Sequence, residues 1–216
     1  MRMKKNMIIW DWNGTLLDDV DLCVEAINML LARESLPLLT GKEEYQRVFQ
    51  FPIRAYYEAV GFDFSKCPFD VLAHDYMEYY QPRSLSCSLH EHAETTLHYF
   101  HEKGYEQVLL SASRRDFLLN QCRRYPILPY FKDVLGLDDI YAQSKAALAQ
   151  HYFAKEADHM ASVVFFGDSV HDYEVAQSVN ADCVLIANGH EHKDKLIATG
   201  GRVIDRIDEL PKIINN

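Results

Sequence analysis

The chain is punctuated by four short, wholly apolar runs, residues 7–10, 108–110, 163–166 and 184–187, each of which breaks off into polar residues. A strand covered on one face alternates apolar with polar side chains. An uninterrupted run needs cover on both faces, as in a parallel sheet. A weaker fifth run lies at 203–204. Parallel neighbours cannot be joined by a tight turn and need crossovers, usually helical. Helical spacing at 93–103, 116–124, 144–157 and 172–179 supplies them, so the predicted core is α/β, a doubly wound parallel sheet.

About a hundred residues separate the first two runs, far more than one crossover helix uses. Within this stretch, helical apolar spacing occurs at 20–31, 40–49, 54–60 and 69–80, with Thr40 and Glu43 placed as a capping box for the second. Residues 18–85 are therefore predicted to form a small helical cap. It is inserted into a core made of 1–17 and 86–216 and joined to it near Leu17 and at 82–88.

A composition 48% hydrophobic and 25% charged is that of an ordinary globular protein. The formal charge of -10 speaks against a nucleic-acid surface, which needs clustered Lys and Arg. Cys23, Cys67, Cys87, Cys122 and Cys183 are odd in number and contain no CxxC pair, so neither a disulfide framework nor a zinc site is signalled. Asp11 ends the first apolar run too early for a signal peptide, and no stretch approaches the ~18 apolar residues of a membrane helix. The expectation is a soluble cytoplasmic protein, monomer or homodimer, with no nucleic-acid or membrane partner.

Ligands of open parallel sheets bind at the carboxyl ends of the strands. There the sequence places Asp11-Trp12-Asn13-Gly14-Thr15, then Ser111-Ala112-Ser113, then Lys145 at a helix start, then Gly167-Asp168-Ser169-Val170-His171-Asp172. A strand-end carboxylate such as Asp11 can attack phosphorus and split one hard displacement into two easier ones. Two anions must meet in that step, so a hard divalent cation such as Mg2+ is needed, with Asp11 and Asp168 as its carboxylates. Lys145 would face the phosphoryl group as a point charge, and Ser111 with nearby backbone N–H groups would donate hydrogen bonds. Asp172 is spaced to orient Lys145 or a metal-bound water. Gly14 allows a tight turn, and Thr15 adds a hydroxyl donor.

In this order the residues resemble the haloacid dehalogenase superfamily, whose four motifs match 11–17, 109–111, Lys145 and 167–172 across nearly the whole chain. The nearest likeness is to the phosphoglycolate-phosphatase-like branch, with a Rossmann-like core and a C1 cap that closes over the site. The resemblance implies hydrolysis of a small phosphorylated metabolite, with Mg2+ held by Asp11, the backbone carbonyl of Asn13, and Asp168. It implies phosphate contacts from Lys145, Ser111, Ala112, Gly14 and Thr15.

One position departs from that pattern. The phosphatases carry Asp two residues after the nucleophile, to protonate the leaving group and then activate water; this chain carries Asn13, which cannot exchange a proton at neutral pH. Such help is worth ~10²–10⁴ in rate, so turnover should be slowed rather than lost. The expectation is a preference for good leaving groups or a long-lived aspartyl-phosphate, with Asn13→Asp gaining turnover. His171 is a candidate substitute proton carrier.

Two alternatives stay open. Phosphonate cleavage in the same superfamily replaces the second Asp and uses a cap lysine as a Schiff base, and Lys42 and Lys66 are the cap lysines. A weakly active phosphate-binding or regulatory protein would also tolerate Asn13. In the cap, Arg54 is the residue best placed to meet a substrate anion, or else a solvated helix-face arginine. Phe49, Phe51, Tyr56, Tyr57, Phe62, Phe64, Tyr76, Tyr79 and Tyr80 are expected chiefly as cap core. Arg114 and Arg115 fit surface positions as well as the site. His-Glu-His at 90–92 and 190–192 matches in nothing around it and is read as chance.

Overall fold

A computed structural model describes residues 5–137, 145–156 and 160–214. The chain runs β1 (Lys5–Trp10), β2 (Leu17–Asp18), α1 (Val20–Arg33), α2 (Lys42–Val48), α3 (Ile53–Ala59), α4 (Phe69–Ser84), β3 (Ser88–Leu89), α5 (Ala93–Glu102), β4 (Glu106–Arg114) and α6 (Arg115–Cys122). It continues through β5 (Phe131–Leu137), α7 (Lys145–Glu156), β6 (Met160–Gly167), α8 (Val170–Ser178), β7 (Asp182–Ile186), α9 (Lys193–Ala198), β8 (Arg202–Ile204) and α10 (Leu210–Ile214). Six strands form one parallel sheet in the order β5-β4-β1-β6-β7-β8. The doubly wound α/β architecture expected from the apolar runs is present.

Period-two alternation splits each central strand between two cores. Ile8, Trp10, Leu109 and Phe166 pack with α5, α6 and α10, while Met7, Ile9, Val108, Leu110 and Phe165 pack with α7, α8 and α9. Trp10 is fully buried, and its indole N–H donates to Gln107 Oε1 at 2.9 Å while Gln107 Nε2 donates to the Leu97 carbonyl at 2.9 Å. A polar pair is thereby satisfied inside the sheet, as burial requires.

Helices α1–α4 enclose a hydrophobic cluster of their own, built on Ile27, Leu30, Leu31, Tyr45 and Leu72. The two crossings between this helical lobe and the sheet pair with each other as a short antiparallel ribbon, Leu17 opposite Leu89 and Asp18 opposite Ser88. That ribbon starts six residues after Asp11.

Four expectations need correction. Strand β5 was not visible in the sequence because Phe-Lys-Asp-Val-Leu-Gly-Leu is a half-exposed edge strand without an unbroken apolar run. Strand β4 continues past Leu110 to Arg114, with polar Ser111 and Ser113 in an irregular stretch between the pairs of Leu110 and Arg114 with β5. Thr40 and Glu43 form no capping box: Gly41 takes the N-cap position of α2, and Thr40 N and Oγ1 both donate to Glu44 Oε2 at 2.7 Å. Helix α4 runs through Pro82 to Ser84, so the connection to the sheet begins later than expected. The predicted helix 144–157 is present over Lys145–Glu156, while Ser144 and Ala157 lie outside the described residues.

Phe100 is fully buried between Trp10 and Phe166, with ring centroids 6.2 and 6.0 Å away. Phe100→Ala is expected to lower the unfolding free energy by about 3–5 kcal/mol in urea denaturation. Ile197→Ala, at a side chain 55% exposed, should stay within about 0.5 kcal/mol of wild type.

Candidate active site

Each strand end delivers one part of a single cluster. Asp11 follows β1 directly, and its N–H still donates to the Phe166 carbonyl at 2.8 Å, so the carboxylate is aimed by the sheet itself. Asp168 follows β6, and Ser111 and Ser113 lie on β4. Lys145 opens α7, and Asp172 sits in the first turn of α8. Ser169 caps α8 reciprocally with Asp172: Asp172 N donates to Ser169 Oγ at 3.2 Å, and Asp172 Oδ2 accepts from Ser169 N at 3.1 Å, Ser169 Oγ at 2.6 Å and Asp168 N at 3.2 Å.

Lys145 Nζ donates to Asp11 Oδ1 and, at 2.5 Å, to Asp172 Oδ1. Burial works against the ammonium, but the two carboxylates hold its pKa above the ordinary lysine value. The carboxylates fare unequally. Asp172 stays below the usual range despite burial, because Lys145 and Ser169 serve it. Asp11 shares the same lysine without the other donors, and burial together with the charges of Asp172 and Asp168 pushes it up to about 8. Asp168 is pushed up to about 6, first by burial and then by Asp172, against relief from His190 and Thr15.

Carboxylate oxygens of Asp11, Asp168 and Asp172 lie within 4.8 Å of one another. Asp172 is committed to Lys145 and the cap of α8, which leaves Asp11 and Asp168 as two hard oxygen donors short of positive charge. That donor set suits a divalent cation such as Mg2+, whose charge would relieve the cost of ionising both.

Several contributors were not singled out in the sequence. Asp19 is buried at the start of α1, where its Oδ2 accepts from Asn13 Nδ2 at 2.8 Å and from Tyr80 OH at 2.5 Å, and its Oδ1 accepts from Gly14 N at 2.9 Å. His190, in the loop after β7, brings Nε2 to 3.3 Å from Asp19 Oδ1 and Nδ1 to 2.9 Å from Tyr45 OH, while its backbone N–H donates to Asp168 Oδ2 at 2.6 Å. Burial opposes the imidazolium, but Asp19 outweighs it with help from Asp168 and Asp11, raising His190 to about 9. Both ring nitrogens are engaged, so the neighbouring Asp19, Cys23 and His190 form an ion-paired group and not a second cation site. His190 stands at a strand's carboxyl end, the rule that located the other residues; the match of its tripeptide to 90–92 drew attention elsewhere. Asp19 carried no signal beyond its neighbour Asp18.

Asn13 is held at both ends of its amide. Nδ2 donates to Asp19 and, at 2.8 Å, to Tyr80 OH, and Oδ1 accepts from Ser113 Oγ at 2.8 Å and Ser111 Oγ at 3.5 Å. One end must donate and the other accept, which an amide does and a carboxylate does not.

Other expected contacts are corrected. The Gly14 N–H is taken by Asp19, and a Cβ on Gly14, whose φ is +75°, would stand 2.4 Å from Asp168 Oδ2. Gly14 therefore allows close approach of the turn and does not offer its N–H to a ligand. Thr15 is fully buried and donates from Oγ1 to Asp168 Oδ1 at 2.6 Å, so it positions Asp168. Arg54 does not reach the cluster: its guanidinium lies over the Phe64 ring at 4.3 Å and 3.8 Å from Glu58. Arg114 pairs with Asp116.

Ser111, Ala112, Lys145 and the acidic cluster line the floor of a cavity of about 180 Å³. Its opposite wall is aromatic. Phe49, Phe51, Tyr56, Tyr57, Tyr76 and Tyr80 line it, so these six serve the cavity as well as the core of the helical lobe; Phe62, Phe64 and Tyr79 do not line it. His171 stacks on Phe51 at 4.6 Å, and burial keeps its pKa below the ordinary histidine value. Neither cap lysine lines the cavity. Lys42 donates to the Asn188 carbonyl at 3.1 Å, and Lys66 is exposed beside Asp63. A Schiff-base lysine for phosphonate cleavage is therefore missing among the described residues.

The sequence profile described as haloacid dehalogenase-like hydrolase matches residues 8–186, and the chain belongs to that family. Similar solved structures include a predicted phosphatase from Clostridium acetobutylicum (17% identity, TM-score 0.81, covering 99% of this chain and 100% of that one). Protein tyrosine kinase A of Mycobacterium tuberculosis is similar too (20%, 0.82, 99% of each chain). So is a predicted phosphoglycolate phosphatase from Haemophilus somnus (17%, 0.73, 99% of each chain). No curated protein matches the chain in a sequence comparison. No helix among the described residues is long and apolar enough to cross a membrane.

His190 titrates about 9 in the fold against 6.5 when free, so the stability contributed by its pairing with Asp19 is complete below the lower value and is lost as pH rises through the upper one. In NMR titrations of metal-free protein its ring resonances should still be those of imidazolium at pH 7.5. Asp19→Asn should move the midpoint down; an unshifted midpoint would remove Asp19 as the cause.

Proposed function

We propose that the protein is a Mg2+-dependent phosphatase that hydrolyses a small phosphomonoester through an aspartyl-phosphate on Asp11. The observation that carries this is the sharing of Lys145 between Asp11 and Asp172 at the floor of the cavity, with Asp168 beside them. It leaves one Asp11 oxygen to attack while a fixed positive charge stands where the phosphoryl oxygens must lie. Ser111 and the backbone around Ala112 face the same space and are the hydroxyl and N–H donors for those oxygens. The metal would be held by Asp11 and Asp168 with the backbone carbonyl of Asn13, and when bound it neutralises the anions that meet there.

Residues 18–85 would act as the cap. In support, Gln46 Nε2 donates to the Gly189 carbonyl at 2.6 Å, His192 N donates to the Gln46 carbonyl at 3.1 Å, and Tyr45 meets His190. The lobe thus sits on the loop that carries part of the site. The described cysteines are all unpaired, which fits work in a reducing cytosol.

Acid quenching during turnover of a labelled phosphomonoester with Mg2+ should leave label on the protein, absent in Asp11→Asn and after chelation of the metal. Label that persists in Asp11→Asn would move the nucleophile elsewhere, and ligand binding with no release of phosphate would favour a binding protein.

Asn13→Asp alone would set a carboxylate 2.8 Å from Asp19 Oδ2. The unpaired arrangement should cost about 1–3 kcal/mol of stability. The exchange Asn13→Asp with Asp19→Asn restores a donor facing an acceptor. The double variant is expected to melt above Asn13→Asp alone, though below wild type because the Asp19–His190 ion pair is lost, and to raise turnover of alkyl phosphates by about 10²-fold or more, the contribution of a general acid.

A further inference from the structure

We infer that the substrate is a phosphomonoester of an uncharged phenol, a single aromatic ring whose oxygen leaves without protonation by the protein. The inference rests on the phosphatase proposal and names the substrate class of that same site.

The first support is the wall that faces the acidic cluster. It is made of rings, Ile53 and Met77, and no Lys or Arg belongs to it among the described residues. The two cations that do line the cavity are already engaged, Lys145 by Asp11 and Asp172, and His190 by Asp19. His171 is stacked on Phe51, and burial holds its pKa below the ordinary histidine value. A carboxylate on the leaving group, as in phosphoglycolate, would enter this wall without a counter-charge and beside Asp19, which burial makes unfavourable. An apolar ring meets only favourable surface, with edge and stacked contacts available from Phe49, Phe51 and Tyr57.

The second support is size. The cavity of about 180 Å³ is close to the ~150 Å³ of apolar cavities that accept a benzene ring. Space for one ring lies beside the acidic cluster.

The third support is chemical and independent of the cavity. Asn13 can neither give nor take a proton, so a bond that releases an oxygen stable as an anion is broken faster here than one whose leaving oxygen needs an acid. A phenol titrates near ~10, like a tyrosine side chain, whereas an alkoxide approaches the basicity of hydroxide, ~16. In the first step an Asp11 oxygen bonds to phosphorus, the P–O(aryl) bond breaks, and its electron pair leaves as phenolate, which takes its proton from water. Water then attacks the phosphorus of the aspartyl-phosphate and restores the Asp11 carboxylate, so that an aryl phosphate and water yield phenol and inorganic phosphate. The apolar wall and the missing acid select the same class.

The test compares phenyl phosphate, benzyl phosphate, phosphoglycolate and acetyl phosphate on the wild-type protein with Mg2+. Binding of phenylphosphonate and phosphonoacetate is measured alongside by calorimetry. Phenyl phosphate is expected to exceed phosphoglycolate in kcat/KM by about 10²-fold or more, with benzyl phosphate between them, and phenylphosphonate should bind more tightly than phosphonoacetate. If acetyl phosphate is hydrolysed while phosphoglycolate equals or exceeds phenyl phosphate, or if phosphonoacetate binds at least as well, the inference is overturned and the phosphatase proposal stands. If no compound, acetyl phosphate included, releases phosphate, the phosphatase proposal itself fails and the inference with it.

Discussion

Four carboxylates, Asp11, Asp19, Asp168 and Asp172, face one cavity in which the described walls supply two charged cations, Lys145 and His190. Charges of one sign this close in a desolvated space repel strongly, and much of the local architecture serves to contain that repulsion. Lys145 is divided between Asp11 and Asp172, and His190 is assigned to Asp19. Asp168 takes hydrogen bonds from Thr15 and the His190 N–H. What is left over is negative and centred on Asp11 and Asp168, the two groups raised above the ordinary carboxylate range. A divalent cation has the charge that four carboxylates and two monocations lack. The same imbalance explains why the turn after Asp11 is built with Gly14: only a residue without Cβ lets that backbone approach Asp168.

Asn13 is best understood together with Asp19. Beside a buried carboxylate at 2.8 Å, an amide donor is the stable partner and a second carboxylate is not. Tyr80, reaching from α4, donates to the same Asp19 oxygen and accepts from the same Asn13 amide. Gln121 continues the chain inward, donating to Ser84 Oγ at 2.8 Å and accepting from the Trp12 indole at 2.8 Å. A polar network fully satisfied in this way is costly to break at any one member. The residue at position 13 is therefore coupled to the helical lobe as well as to the reaction.

The sheet and the catalytic motifs were legible in the sequence for a common reason. Strands covered on both faces must be apolar throughout, and residues just beyond them must be polar because they meet the ligand. Asp11, Ser111 and Asp168 follow from that rule, and His190 obeys it after β7, whereas Lys145 and Asp172 stand at helix starts. Strand β5 was illegible because an edge strand lacks the constraint that makes the others conspicuous. Asp19 and Tyr80 were illegible for a different reason: their roles arise from tertiary meetings with Asn13, 6 and 67 residues away in sequence, and no local pattern records them. Gly14, Thr15 and Arg54 show the limit of assigning roles by position in a motif. Whether an N–H, a hydroxyl or a guanidinium is free for a ligand depends on which protein group has already taken it.

The point of insertion ties specificity to chemistry. Leaving the core at β2 and returning at β3, the two connections pair as a ribbon that begins within the turn carrying Asn13 and Gly14, where Gly14 N donates to the Leu17 carbonyl at 2.9 Å. Asp19 lies one residue past that ribbon and is the first acidic group of the lobe to reach back to the turn. A shift of the lobe relative to the sheet must pass through these bonds, so it alters the support of Asn13 and the aromatic wall together. The same helices that line the cavity thus hold Asn13 in place.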